Sequence, residues 1–446
     1  MAYLIGSKRT RQAILIDPER NFEQYLIAAK ELGLTISYVL ETHIHADFIS
    51  GAREISAKTG ATIGASHDAK LQFSHKSFDE GDLIALGEVV LKVLETPGHS
   101  PEHISFTIEK DHHDTTEALF SGGALIVGGA ARTDLISHHH TKPLAEKLYH
   151  TIHHKLLTLP DKTVVYPTHG AGSFCVAPQS EERITTIAKE RVRNPLIKAT
   201  KKATFIYLAT TNLPSYPLYF KKMRAINRKG PTLLGKMPTL KPLWAGKVMQ
   251  WVRSGGVLLD MRKSKFFARE HIPKSYGISI YGSFPSWVGW LIPFNARMII
   301  VAKNEWERKE GVKQLVTIGY ERFEGYLKGG ISAWKKAKFP LEHISTVTPR
   351  HLEKMRKSEN SPTILDVRFD NEWQKGRIPN AVHIENGKLP SIPLRYKKNT
   401  PMVLYCLHGG RSTSGISVLA RRGYKNLTLL DRGFAAWREA GLPIER

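Results

Sequence analysis

Thr42-His43-Ile44-His45-Ala46-Asp47-Phe48 follows the apolar run Ile36 to Leu40, and its reading decides the fold of the first half of the chain. The run has the length of a buried strand, so the polar residues fall at a strand end, where a pocket can open. Two imidazoles at i and i+2 on a turn can converge on one ion, and a carboxylate two residues on can serve a neighbouring ion or orient a ligand. The context recurs: Val89 to Leu94 leads into Thr96-Pro97-Gly98-His99, and Val164 to Tyr166 leads into Pro167-Thr168-His169-Gly170. Polar residues that merely end strands would explain any one of these. Together they point to a metal pocket.

Residues 3 to about 180 resemble the metallo-β-lactamase fold, and within it the persulfide dioxygenases. The resemblance is carried by Tyr3-Leu4-Ile5-Gly6, Ile16-Asp17-Pro18, Glu41 to Phe48, Thr96 to His99, Ala118 to Gly122, Arg132-Thr133-Asp134-Leu135 and Tyr166 to Cys175. It implies a mononuclear Fe(II) held by two histidines and an aspartate, with open positions for O₂ and a persulfide such as glutathione persulfide. His43 and His99 fall on the two histidine positions. The aspartate is expected directly after Ser121-Gly122, where this chain has Gly123.

A carboxylate supplies the negative charge of the two-His-one-carboxylate triad, so its loss weakens the site for iron. Three readings of Gly123 stand open: a scaffold with impaired or lost dioxygenase activity, which is favoured; a three-His site completed by His45 and suited to Zn²⁺; or an exogenous anion in the vacated position on iron. Phe48 stands where many hydrolases of the fold have a further histidine. A second ion would keep only Asp47 and His169, so a two-metal hydrolase is not expected. Arg132 and Asp134 are read as bracing the pocket or its substrate.

With 446 residues, 41% of them hydrophobic, the chain has apolar material for two or three cores. No apolar run reaches the length of a membrane span, and the start enters a strand without a basic leader, which reads as a soluble, cytoplasmic protein with a short or missing first edge strand. The formal charge of +24 is spread along the chain, and no nucleic-acid motif accompanies it. Such a surface steers small anions. The two cysteines, Cys175 and Cys406, cannot form a disulfide framework and suit a reducing compartment.

Between Gly6 and Val165, strand-length apolar runs alternate with helical patterns, as an αβ/βα sandwich requires. Phe22 to Leu32 and Ser50 to Thr59 read as helices stopped by Gly33 and Gly60. His112-His113, His138-His139-His140, His150, His153 and His154 read as solvated faces, and Cys175 as a small apolar residue near the pocket. From Pro178 to about Pro242, basic clusters (Lys198, Lys201, Lys202; Lys221, Lys222, Arg224) alternate with prolines, as in a helical tail followed by a linker.

Beyond it the chain repeats. Leu259-Asp260-Met261-Arg262 matches Leu365-Asp366-Val367-Arg368, Ile272-Pro273 matches Ile378-Pro379, and Gly330-Ile331-Ser332-Ala333-Trp334 matches Gly433-Phe434-Ala435-Ala436-Trp437. These are two copies of a small α/β domain. In the second, the strand Val403-Leu404-Tyr405 runs into Cys406, Leu407-His408-Gly409-Gly410-Arg411-Ser412 and a helical pattern ending at Gly423. A thiol facing a helix N-terminus sits among inward N–H groups that favour the thiolate; the glycines allow a tight cradle, and Arg411 can balance a second negative charge. A persulfide fits such a loop.

Both repeats resemble rhodanese domains. The offset of the terminal match puts Cys406 and Arg411 on Lys303 and Arg308, give or take a residue, so the first repeat is expected to be inactive. Its expected role is packing, or positioning the active repeat against the metal domain, with Trp287, Trp290, Leu291, Ile292 and Phe294 as that contact. The fold class is therefore α/β: a metallo-β-lactamase αβ/βα sandwich over 1–240, an inactive rhodanese-like domain over 241–345 and an active one over 346–446.

The order resembles bacterial persulfide dioxygenase-sulfurtransferase fusions. It implies sulfane-sulfur metabolism and sulfide detoxification: a sulfurtransferase acting through a Cys406 persulfide, with Arg411 and the loop Leu407, His408, Gly409, Gly410 and Ser412. The expected small-molecule partners are a persulfide, thiosulfate, sulfite and a low-molecular-weight thiol; self-association into a homo-oligomer stays open. Two other readings stand beside it: a zinc-dependent thioester or lactone hydrolase, and a non-catalytic sulfur-sensing scaffold.

Overall fold

The computed structural model describes residues 1–109, 116–170, 182–211 and 213–446. His112, His113 and Cys175 lie outside the described residues. The chain divides into two compact units, Met1–Met237 and Pro238–Arg446.

The first unit is built on two sheets. One has the order β1 (Tyr3–Gly6), β2 (Gln12–Ile16), β3 (Thr35–Leu40), β4 (Thr62–Ser66) and β5 (Lys76–Phe78). The other runs β11 (Thr185–Thr186), β10 (Val164–Pro167), β9 (Thr116–Gly122), β8 (Ile104–Glu109), β7 (Val89–Glu95) and β6 (Leu83–Leu86). Side chains alternate across each strand. On β2, Ile14 and Ile16 enter the core between the sheets with Leu40, Leu91, Val93 and Phe106. Leu15 points the other way, into a layer shared with Ala29 and Ile55 of the helices Glu23–Glu31 and Ala52–Thr59. The second sheet is covered likewise by Leu148 of the helix His138–His150 and Phe205 of Lys202–Thr210. The result is the expected αβ/βα sandwich. Gly33 and Gly60 stop their helices with positive φ, +64° and +77°.

Residues 182–211 and 213–237 contribute helices to the first unit. Its helix Phe220–Lys229 is bolted to the turn after β3. Asn227 donates to the carbonyls of His45 (2.9 Å) and Phe48 (2.8 Å) and accepts from Ser50 N–H (3.0 Å). Arg224 donates to the Ile44 carbonyl (2.8 Å) and to Glu102 (3.1 Å). Composition marked these residues as basic and proline-rich, but tertiary partners decide where they go.

The second unit contains two parallel five-stranded sheets of the same topology. The first has the order β12 (Pro242–Leu243), β16 (Phe323–Leu327), β15 (Met298–Val301), β13 (Val257–Asp260), β14 (Tyr276–Gly277). The second has β17 (Ser345–Val347), β21 (Leu427–Leu430), β20 (Met402–Tyr405), β18 (Thr363–Asp366), β19 (Val382–His383). The repeated motifs have repeated jobs. Arg262 forks onto Asp260 and donates to the Glu270 carbonyl, as Arg368 forks onto Asp366 and donates to that of Gly376. Trp334 donates to the Pro340 carbonyl and Trp437 to that of Pro443, both at 2.8 Å.

The apolar stretch of the first repeat is a contact, and it faces the second repeat. Trp287 and Trp290 pack on Phe369, with ring centroids 5.8 and 5.4 Å apart. Among the described residues no helix is long and apolar enough to cross a membrane.

Candidate functional site

The turn after β3 aims His43 into the sandwich; the turn after β7 brings His99, and the one after β10 brings His169. One ring nitrogen from each of the three lies within 4.8 Å of the others, and all three side chains are buried. The opposite ring nitrogens are committed. Thr42 Oγ1 donates to Asp17 Oδ2 (2.7 Å), so it accepts from His43 Nδ1 (2.9 Å). His99 Nδ1 donates to the Arg132 carbonyl (2.7 Å), and His169 Nδ1 lies 3.4 Å from Asp47 Oδ2. Such partners fix the tautomer and leave each Nε2 with a lone pair.

Those lone pairs converge. His43 Nε2 and His169 Nε2 stand 3.3 Å apart, while two nitrogens bound to one tetrahedral ion at about 2.0–2.1 Å stand about 3.3–3.4 Å apart. Burial holds the His43 and His99 imidazoles well below their ordinary range, with neighbouring histidines adding to it, so neither bridges the gap as an imidazolium. The three histidines therefore fit a metal ion.

His45 does not join them. Its Nε2 is 3.2 Å from Asp17 and 3.2 Å from Glu41. Burial opposes the imidazolium, but the two carboxylates raise its pKa to about 10. Burial likewise opposes the Asp17 charge, and His45 overcomes it and holds the carboxyl low, whereas burial keeps the Glu41 carboxyl above its usual range. The three-His cluster in this structure is His43, His99 and His169, while His45 groups with Asp17 and His43 and with Asp47 and His169. Phe48 stacks on His45 with ring centroids 4.1 Å apart. Asp47 serves as the partner of His169, and Arg132 forks onto Asp134 at 2.6 and 2.7 Å while its carbonyl orients His99.

Gly123 is closed over. A Cβ there would meet His99 Cδ2 at 2.7 Å and Ala131 Cβ at 3.0 Å. Its N–H donates to His103 Nε2 (2.9 Å), and Thr96 Oγ1 lies 2.8 Å from Nδ1 of the same ring. Sequence reading missed His103; its place four residues after His99, just before β8, was the available signal. Asp17 and Glu41 were visible only as parts of larger motifs.

In the second unit β20 delivers Cys406 to the start of the helix Gly410–Arg421. Gly409 N–H donates to Sγ (3.1 Å), with the Ser412 hydroxyl at 3.5 Å. Gly409 makes the turn with φ +98°. Arg411 forks onto Glu372 at 2.5 and 2.8 Å and lies over the Phe369 ring, 5.4 Å from its centroid. Sequence reading did not anticipate Glu372 or Phe369. The Trp287–Phe369–Arg411 stack ties the first repeat to the loop of the second.

Strand register refines the comparison of loops. Val301 pairs with Asp260 as Tyr405 pairs with Asp366, so Ala302, not Lys303, stands at the Cys406 position. Lys303 N–H donates to the Glu307 carboxylate (2.7 Å). The loop of the first repeat therefore has Ala302 where the second has its thiol.

The fold and these two sites define a metallo-β-lactamase-type metal domain joined to a pair of rhodanese-type domains. Residues 1–169 match the metallo-beta-lactamase superfamily, and residues 245–337 and 348–440 each match the rhodanese-like domain. The mitochondrial persulfide dioxygenase of Bos taurus is 32% identical over 216 residues, 48% of this chain and 77% of that protein. The chain belongs to the persulfide dioxygenase family, extended by two rhodanese-like domains. A hydroxyacylglutathione hydrolase of a Polaromonas species is 36% identical over 170 residues, 37% of this chain and 60% of that one. A metallo-beta-lactamase structure from Staphylococcus aureus subsp. aureus COL has a TM-score of 0.65 at 29% identity, covering 73% of this chain and 94% of that chain.

Proposed function

We propose that the chain is a sulfurtransferase of sulfane-sulfur metabolism and sulfide detoxification, carrying sulfur as a persulfide on Cys406, with domains spanning 1–240, 241–345 and 346–446. The observation that carries this reading is the Gly409 N–H directed at Cys406 Sγ from the head of a helix. The Cys406 thiolate attacks the outer sulfur of thiosulfate; the S–S bond of the donor breaks and sulfite leaves with its electron pair. A thiol or sulfite then takes the sulfur from Cys406 in the reverse sense. Gly409 and Ser412 hold the charge on sulfur, and Arg411, fixed by Glu372, supplies a cation. Leu407, His408 and Gly410 complete the cradle. Cys406→Ser is expected to abolish cyanide-dependent release of thiocyanate from thiosulfate; release that persists in that variant refutes the reading. Two cysteines in 446 residues suit a reducing compartment such as the cytoplasm.

The metal would be held by His43, His99 and His169. A bound divalent ion would polarise a substrate oxygen or sulfur as a Lewis acid. Asp17 and Thr42 orient His43, the Arg132 carbonyl orients His99, and Asp47 orients His169. An all-imidazole set lacks the carboxylate of the iron triad, which supports lost or impaired dioxygenase activity and favours Zn²⁺ over Fe(II). The same set supports a second reading for this domain, a thioester hydrolase. Metal analysis with paired assays separates them: zinc with thioester turnover supports the hydrolase, and iron with oxygen uptake on glutathione persulfide contradicts the loss of dioxygenase activity.

A further inference from the structure

The first repeat has no thiol, yet it carries an element that the second lacks. Between β14 and β15 it forms the helix Phe284–Leu291, whereas the corresponding stretch of the second repeat, between β19 and β20, has the short turn Asn386–Lys388 and no α-helix among the described residues. Two tryptophans of this helix reach the surroundings of Arg411. Trp287 stacks on Phe369 with 22° between the ring planes, and the Arg411 guanidinium lies 5.4 Å from the centroid of the same ring. Trp290 is buried; it packs on Phe369 and also on Gly387, where a Cβ would stand 2.9 Å from Trp290 Cδ1.

Both contacts lead to Arg411. Phe369 N–H donates to Glu372 Oε2 (3.1 Å), and the Glu372 carboxylate accepts the fork of the Arg411 guanidinium. Beside Gly387, Asn386 Nδ2 donates to Ser414 Oγ (3.0 Å), which donates to the Arg411 carbonyl (2.8 Å). The side chain of Arg411 is thus held through Phe369, and its backbone through the turn that carries Gly387. Arg411 in turn senses Cys406: burial opposes the guanidinium charge, but the Glu372 hydrogen bonds and the charge on the Cys406 sulfur overcome it and hold its pKa above the ordinary range. A long side chain fixed beforehand by a carboxylate fork and an aromatic face loses less entropy when an anion arrives.

We infer that Trp287 and Trp290 of the thiol-less repeat are positioning residues for Arg411, which they hold through Phe369 so that an anionic reactant arriving at Cys406 meets a fixed cation. The inference deepens the sulfurtransferase reading and rests on Cys406 as its reacting thiol. The thiol itself is held by Gly409 and Ser412. Loss of the aromatic stack should therefore penalise anionic reagents at Cys406 more than neutral ones.

The test compares alkylation of Cys406 in the full chain by iodoacetate, an anion, and by iodoacetamide, its neutral amide, read on the Cys406 peptide by mass spectrometry. Arg411→Gln is expected to lower the ratio of the two rates, iodoacetate over iodoacetamide, about tenfold. Trp287→Ala, Trp290→Leu and Phe369→Leu should each lower it about threefold, and Trp287→Phe should restore it. With Arg411→Gln already in place, Trp287→Ala should have no further effect. Loading by thiosulfate should follow the iodoacetate rates. A ratio left at the wild-type value by Arg411→Gln, or by both Trp287→Ala and Phe369→Leu, overturns the inference; so does an effect of Trp287→Ala that persists without Arg411. A ratio that shifts as expected in a chain that thiosulfate never loads upholds the positioning role and refutes the sulfurtransferase reading instead.

Discussion

Gly123 shows how one missing side chain reshapes a metal centre. With 2.7 Å between its notional Cβ and the His99 ring, any side chain at this position requires that ring to move. Gly123→Asp is therefore expected to lower the melting temperature of the first unit and to give no persulfide-dependent oxygen uptake after anaerobic loading with Fe(II); restored uptake would show that His99 yields. Titration gives a second prediction at this scale. Burial holds His103 down at about 3, so below about 6.5 the unfolded chain binds a proton that the fold refuses, and stability is lost as pH falls toward 3. His45 acts in the opposite sense: raised to about 10, it contributes fully below about 6.5 and loses that contribution as pH climbs through 10. The melting temperature of the metal-free first unit should peak near neutrality, a maximum that thermal scans across pH can test. His43, His99 and Cys406 were legible because each follows a strand in a local turn. The third histidine of the cluster was not assigned, since choosing between His45 and His169 depends on Asp17, which is far from His45 in the sequence and reaches it only in the fold.

Elements carry information that no local pattern holds. The helix Phe220–Lys229 looks from composition like part of a linker, and its function is visible only through Asn227 and Arg224 on the metal turn. Asn227→Ala would leave the Ser50 N–H and the His45 and Phe48 carbonyls without this partner. Denaturant unfolding should show a loss of about 2–4 kcal/mol, and metal competition should show about tenfold weaker binding; an unchanged metal affinity would mean that the turn holds its shape unaided. The two rhodanese sheets were easier to foresee, because the Leu-Asp-x-Arg and Gly-x-x-x-Trp motifs each encode a bond made within the repeat. The misplacement of Lys303 has an equally local cause: the stretch from the end of β15 to the helix Gly330–Lys336 is one residue longer than that from the end of β20 to the helix Gly433–Glu439, which a constant offset cannot register.

For the whole molecule, the histidine cluster and Cys406 reside in separate units, each with its own core. Stripping metal with a chelator should leave sulfur loading of Cys406 unchanged, and Cys406→Ser should leave the metal content unchanged; coupled losses would contradict this division. The charge of +24 raises the local concentration of anionic sulfur compounds, so transfer rates should fall with ionic strength. The most direct test is intact-protein mass spectrometry after brief exposure to thiosulfate. The chain is predicted to gain the mass of one sulfur atom, located to the peptide bearing Cys406 and discharged by a thiol. No gain, or a gain retained in Cys406→Ser, would contradict it.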